Sequence, residues 1–184
     1  MATLTIAVWT ANGLNQRTQE INLFLRTYNI DVLRVSETHV TDRSHINIPH
    51  YAIYHTPHPE RKAHGGTAAI VRWNLKHHLG TSYSEKRIQA TSIVLEDQMG
   101  EVTVTAFYNR PKHNIKTIEY EKFFQTLGHR FIAGGDYNAK KHVFGRQNNY
   151  NQKARTPQRH AETQPTTSII LSTHILAERH EQTA

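Results

Sequence analysis

The stretch FIAGGDYN, residues 131–138, decides how the rest of this sequence is read. Phe131, Ile132 and Ala133 form an apolar run, two glycines follow, and Asp136 and Asn138 come next. The pattern predicts a buried strand that stops at a tight turn and projects two polar side chains from its C-terminal end. Gly134 and Gly135 permit backbone angles or close approaches that a Cβ would block. Asp136 and Asn138 are two residues apart, so in an extended segment they point to the same side. A carboxylate beside a carboxamide at a strand end suits holding a water or a metal over a phosphate. A strand followed by an Asx turn accounts for the same letters without chemistry. The functional reading therefore needs support from elsewhere in the chain.

Upstream segments give that support. Leu4 to Trp9 alternates as a strand and ends at Asn12-Gly13. Ile21, Phe24, Leu25 and Tyr28 share one helical face, with Thr18 and Glu20 near the start and Asn29 at the stop. Asp31 to Val35 is the next strand, with Ser36-Glu37-Thr38-His39 at its end. A strand, a helix and a strand make a right-handed crossover, which brings Asn12 and Glu37 to neighbouring C-terminal ends. There Glu37 would be a hard oxygen ligand for Mg²⁺. Arg34 interrupts this apolar strand. A lone guanidinium is costly to bury, so Arg34 is expected to reach solvent at a sheet edge or to mark a lesion.

Residues 55–64 read as a loop rich in Pro, His and basic side chains, suited to phosphate contacts. Gly65-Gly66 opens another strand, Thr67 to Arg72, without a P-loop or G-x-G-x-x-G pattern. Residues 89–96 and 101–108 are read as a hairpin with Tyr108 at its far end. Tyr120 to Leu127 is read as a short helix. Past Gly145 the chain is polar and basic, and Ile169 to Ala177 has no clear partner strand.

Bulk properties narrow the classes. The 184 residues suit one domain with a real core. The absence of cysteine excludes disulfides and Cys-based zinc sites, and is compatible with an intracellular compartment. The fourteen histidines show no tight ligand spacing and are read mostly as surface residues. A formal charge of +7 favours an anionic partner, nucleic acid first. No run approaches a membrane span, and the N-terminus is too short and polar for a signal peptide.

Five motifs occur together in order: TANGL (10–14), SETHV (36–40), KAHGGTAAIV (62–71), LGHRFIAGGDYNAKK (127–141) and the FG of 144–145. In these the sequence resembles the apurinic-type endonuclease domain of jockey-like non-LTR retrotransposons, within the DNase I-like endonuclease/exonuclease/phosphatase superfamily. The resemblance covers roughly the first four-fifths of the chain. It implies an α/β fold, an incomplete four-layer sandwich of two mixed β-sheets flanked by helices. It also implies a Mg²⁺-dependent nick in DNA that leaves a 3′-hydroxyl to prime reverse transcription, and hence a nuclear location. By position, Glu37 is implied as metal ligand with Asn12 beside it. Tyr108 would contact the scissile phosphate, Asp136 would orient or deprotonate the attacking water, and Asn138 would hold Asp136 and the phosphate. Arg61, Lys62, His64 and Lys140 are the candidate DNA contacts.

The sequence also departs from that family. There is no Ser-Asp-His, and no aspartate after Asp136. The reverse transcriptase domain of the parent element is expected to be absent from this chain. With one choice of codons, THILAERHEQTA (173–184) shifted by one base reads PTYWPSDTNKL, a segment the family carries at about this place. The expectation is an incomplete, C-terminally truncated domain over residues 1–146 and a degenerate, frameshifted tail over 147–184. Such an enzyme would be weak or inactive. The alternatives are an active nuclease whose tail supplies substitute groups, a non-catalytic basic fragment that binds nucleic acid, and a phosphatase of small phosphoesters. The charge and the 58–64 loop favour DNA over a small phosphoester.

Overall fold

A computed structural model describes residues 3–60, 62–97, 99–110, 115–138 and 169–175. Strand β1 (Thr3–Thr10) leads through one 3-10 turn into helix α1 (Thr18–Thr27) and strand β2 (Val32–Ser36). Next come β3 (Tyr51–Thr56), β4 (Thr67–Arg72), β5 (His77–Leu79), β6 (Tyr83–Ser84), β7 (Ile88–Asp97) and β8 (Gly100–Asn109). Helix α2 (Thr117–Gln125), β9 (Phe131–Asp136) and β10 (Ile169–Ile175) complete the order. One sheet runs β10-β1-β2-β4-β3, and the other runs β5-β7-β8-β9 with β6 on β7. Both are mixed: β1 and β2 are parallel, as are β8 and β9, and the remaining pairs are antiparallel.

Strand alternation builds the layers. Leu4 and Ile6 of β1 pack with Val32, Ala69 and Val71 against Ile93, Leu95, Val102 and Val104 of the other sheet. Ala7 and Trp9, one residue out of phase, face the opposite way into a cluster with Ile21, Phe24 and Leu25 of α1. A third cluster packs Ala90 and Phe107 under Tyr120 and Phe123 of α2. The result is helix, sheet, sheet, helix, the predicted four-layer α/β architecture. Helix α1 ends as expected at Asn29, which adopts φ +49. The N–H of Ile30 then donates to the Leu25 carbonyl, closing a Schellman-type cap.

Three expectations need correction. Gly134 and Gly135 lie inside β9 rather than in a turn after it. Both serve close approach: a Cβ on Gly135 would stand 1.9 Å from the Phe107 carbonyl oxygen, and one on Gly134 would stand 2.5 Å from Arg34 Nη1. Arg34 therefore does not reach solvent. Its strand is interior to the sheet, the residue is 4% exposed, and the guanidinium fills the space that Gly134 leaves between the sheets. Nη1 makes a long bond, 3.5 Å, to the Ile132 carbonyl, and Nε has no hydrogen-bond partner among the described residues. Burial lowers its pKa to about 10. Finally, residues 169–175 have a partner: β10 pairs antiparallel with β1 from Thr3↔Ile175 to Trp9↔Ile169. The expected domain limit at 146 and most of the proposed frameshifted segment lie outside the described residues.

Candidate active site

The C-terminal ends of β1, β2, β8 and β9 meet at one rim. Parallel pairing is the cause: Thr10 is level with Ser36 in one sheet, and Tyr108 is level with Asp136 in the other. The loops leaving these strands are zipped by backbone bonds. Gly13 N–H donates to Glu37 O and Leu14 N–H to Thr38 O, while His39 N–H donates to Gly65 O. Gly66 N–H donates to Gln89 Oε1 at 2.7 Å, tying the glycine turn to the second sheet.

The backbone here is unusual. Asn12, Glu37, His39 and Asn138 all have positive φ, at 46°, 55°, 53° and 41°. Each such non-glycine residue costs on the order of 1 kcal/mol or more, and strain of this kind clusters at functional sites. Glycine is required at 65, where φ is +62° and a Cβ would meet Gln89 Oε1 at 2.7 Å and the Tyr108 ring at 3.2 Å.

Glu37 and Tyr108 are joined across the two sheets. The Tyr108 hydroxyl donates to Glu37 Oε1 at 3.1 Å. Tyr108 is buried, and burial first, then the Glu37 and Asp136 carboxylates, push its phenol far above the ordinary value. It is therefore a neutral donor at any physiological pH. Asp136 ends β9 partly exposed, and the Asn138 N–H caps its Oδ1 at 3.1 Å. That bond is an Asx turn, so Asn138 leaves the extended path instead of projecting beside Asp136. Its side-chain Nδ2 donates to the Asn109 carbonyl at 2.7 Å. Asn109 in turn donates to the Tyr137 carbonyl and to the Tyr120 hydroxyl, which locks the segment after β9 onto α2. Asn12 is exposed two residues past the end of β1, and its neighbour Gly13 is bonded to Glu37.

The four oxygen-bearing side chains Asn12, Glu37, Asp136 and Asn138 are hard donors, suited to Mg²⁺ and ill suited to softer metals. Of the DNA-contact candidates, Lys62 is exposed and pairs with Glu60 at 3.3 Å. His64 is half-buried against His58, with ring centroids 4.0 Å apart. Arg61 and Lys140 lie outside the described residues. Sequence reasoning missed His58, which is 1% exposed, and Gln89, fully buried beneath the glycine turn. His58 carried a signal only in its spacing to Glu60 and His64. Gln89 looked like any alternating strand residue.

The sequence profile of the Endonuclease/Exonuclease/phosphatase family matches residues 9–168. The RNA-directed DNA polymerase from mobile element jockey of Drosophila melanogaster is 38% identical over 143 residues, covering 78% of this chain and 16% of that protein. Its counterpart in Drosophila funebris gives the same figures, 38% over 143 residues. The chain thus spans 16% of the length of the curated relatives it matches. Among solved structures, the endonuclease domain of TRAS1, a telomere-specific non-LTR retrotransposon, superposes with a TM-score of 0.57 at 16% identity. That match covers 76% of this chain and 63% of the other. The Xenopus laevis APE2 catalytic domain superposes at 0.52 with 18% identity, covering 74% and 59%. These two likenesses establish the fold.

Proposed function

The chain belongs to the endonuclease/exonuclease/phosphatase family, and from that premise we propose that it is a Mg²⁺-dependent DNA-nicking endonuclease domain of a non-LTR retrotransposon. The single observation that carries the reading is the Tyr108–Glu37 bond, which joins the sheets at 3.1 Å beside Asp136. Glu37, with Asn12 next to it, would hold the metal. Bound there, Mg²⁺ would neutralise charge on the scissile phosphate and stabilise the leaving oxygen.

The remaining work falls to side chains. Tyr108, staying protonated, donates its one hydroxyl proton to Glu37 and so fixes that carboxylate rather than acting as a base. Asp136 accepts the proton of the attacking water, and the Asn138 N–H holds its carboxylate in one orientation. The net charge of +7 favours an anionic partner such as the DNA phosphate backbone, and the family resemblance puts the proposed place of action in the nucleus.

The chemistry of the nick tests the proposal. Supercoiled plasmid incubated with Mg²⁺ and the protein is offered to a DNA polymerase with labelled nucleotides. Extension without prior end repair supports a 3′-hydroxyl product and a priming role. Nicks that need phosphatase treatment first would refute that role.

A further inference from the structure

We propose that His58, Glu60 and His64 form a binding site for a divalent transition metal of the Zn²⁺ class, separate from the Glu37 centre. One ring nitrogen from each histidine and one carboxylate oxygen of Glu60 lie within 4.8 Å of one another. All three come from the loop between β3 and β4, in the spacing H-x-E-x-x-x-H.

The Nε2 atom of each imidazole is held where water cannot serve it. His58 is 1% exposed, and among the described residues neither His58 Nε2 nor His64 Nε2 has a hydrogen-bond partner. Buried polar atoms left in this way are destabilising, and a ligand is one way to satisfy them. The rings sit 4.0 Å apart at 48°, so protonating both would set two cations against each other, whereas a metal draws two neutral rings together.

The surroundings fix this geometry before any metal arrives. The Glu60 N–H donates to His58 Nδ1 at 3.2 Å, which folds the loop back on itself. Immediately after His64, the Gly65-Gly66 turn is anchored to Gln89. Imidazole nitrogen with one carboxylate selects Zn²⁺, Co²⁺ or Ni²⁺ over Mg²⁺. Three protein ligands leave a fourth position for water. The rival partner of Glu60 is Lys62, but that pair is open to solvent on both sides, at 70% and 45% exposure, and gives way readily. Lys62 and Arg110 put positive charge near the loop, so the Glu60 carboxylate is the ligand that makes a dication tolerable there.

The test is equilibrium binding of Zn²⁺ or Co²⁺ to the full chain in excess Mg²⁺, with thermal melting alongside. We expect one equivalent bound that Mg²⁺ does not displace, a raised melting temperature, and a nitrogen/oxygen-type Co²⁺ spectrum. Glu60→Gln and His64→Gln should each weaken binding by roughly 10-fold or more, while Glu37→Gln leaves it unchanged. His58→Ala risks unfolding, so the exposed Glu60 carries the decision. Affinity unaltered in folded Glu60→Gln and His64→Gln would assign the metal to other histidines and overturn the proposal. So would displacement by Mg²⁺, or no bound equivalent at all. The readout is metal content, so it stands or falls independently of DNA nicking.

Discussion

Tyr108 gives its one hydroxyl proton to Glu37, and the rest of its ring packs against the glycine turn at residue 65. Tyr108→Phe keeps that packing and removes only the donor. Nicking should fall about 10- to 100-fold through a less well-held metal ligand, with stability within about 1 kcal/mol of the parent. An unchanged rate would show that Glu37 is oriented by something else. Arg34 is the opposite kind of residue, a buried cation whose Nε is unpartnered. Arg34→Met should stabilise the fold by about 1 to 3 kcal/mol in urea unfolding; a loss would mean that the guanidinium is needed where it lies. The placement of Glu37, Tyr108 and Asp136 at one rim was legible because each falls at the end of a recognisable strand. Arg34 was misread because strand order, which decides edge from interior, depends on pairings remote in sequence. The placement of His58 was hidden for a related reason, since a loop rather than a helical spacing brings it to Glu60 and His64.

Strand β9 shows what the elements require. It reaches β8 so closely at Gly135 (φ +150°) that a Cβ there would overlap the Phe107 carbonyl. Gly135→Ala should therefore destabilise by about 3 kcal/mol or more and displace Asp136, read as a lowered midpoint in thermal melting. A wild-type melting curve would mean that the β8–β9 register differs from Tyr108↔Asp136. The β7–β8 hairpin has its own clamp at the opposite end, where Arg130 holds Asp97 at 2.7 Å. The Arg130 guanidinium keeps that carboxyl below its usual value. A lowered carboxyl contributes stability above the unfolded pKa, about 4, and loses it as pH falls through the folded value. Asp97→Asn should thus cost on the order of 1 kcal/mol at pH 7, and the difference from wild type should disappear as pH falls through the lowered folded value. A gap that persists in acid would contradict the assignment. The long strands and α1 were readable from alternation and from the Asn29 stop. The short edge strands β5 and β6 were not, because two or three residues carry no period. Strand β10 was not, because its partner β1 lies at the other end of the chain.

For the whole molecule, two mixed sheets between two helices bring four strand ends to one rim, in a chain of net charge +7. Alternation of apolar residues marked the long strands, and the fold class and layer order followed from the resemblance of five short motifs. How the sheets touch, through Tyr108 and Glu37, could be learned only from the structure. The central claim is that this rim cleaves a phosphodiester bond with Asp136 as the proton acceptor. The direct measurement is the rate at which supercoiled plasmid becomes open circle with wild type and with Asp136→Asn, in Mg²⁺ and in EDTA. The account predicts Mg²⁺-dependent nicking that EDTA abolishes and that the variant reduces by roughly 10³-fold or more. Equal rates in the variant or in EDTA would contradict it. So would a folded wild-type protein that binds DNA with steep salt dependence and never nicks it.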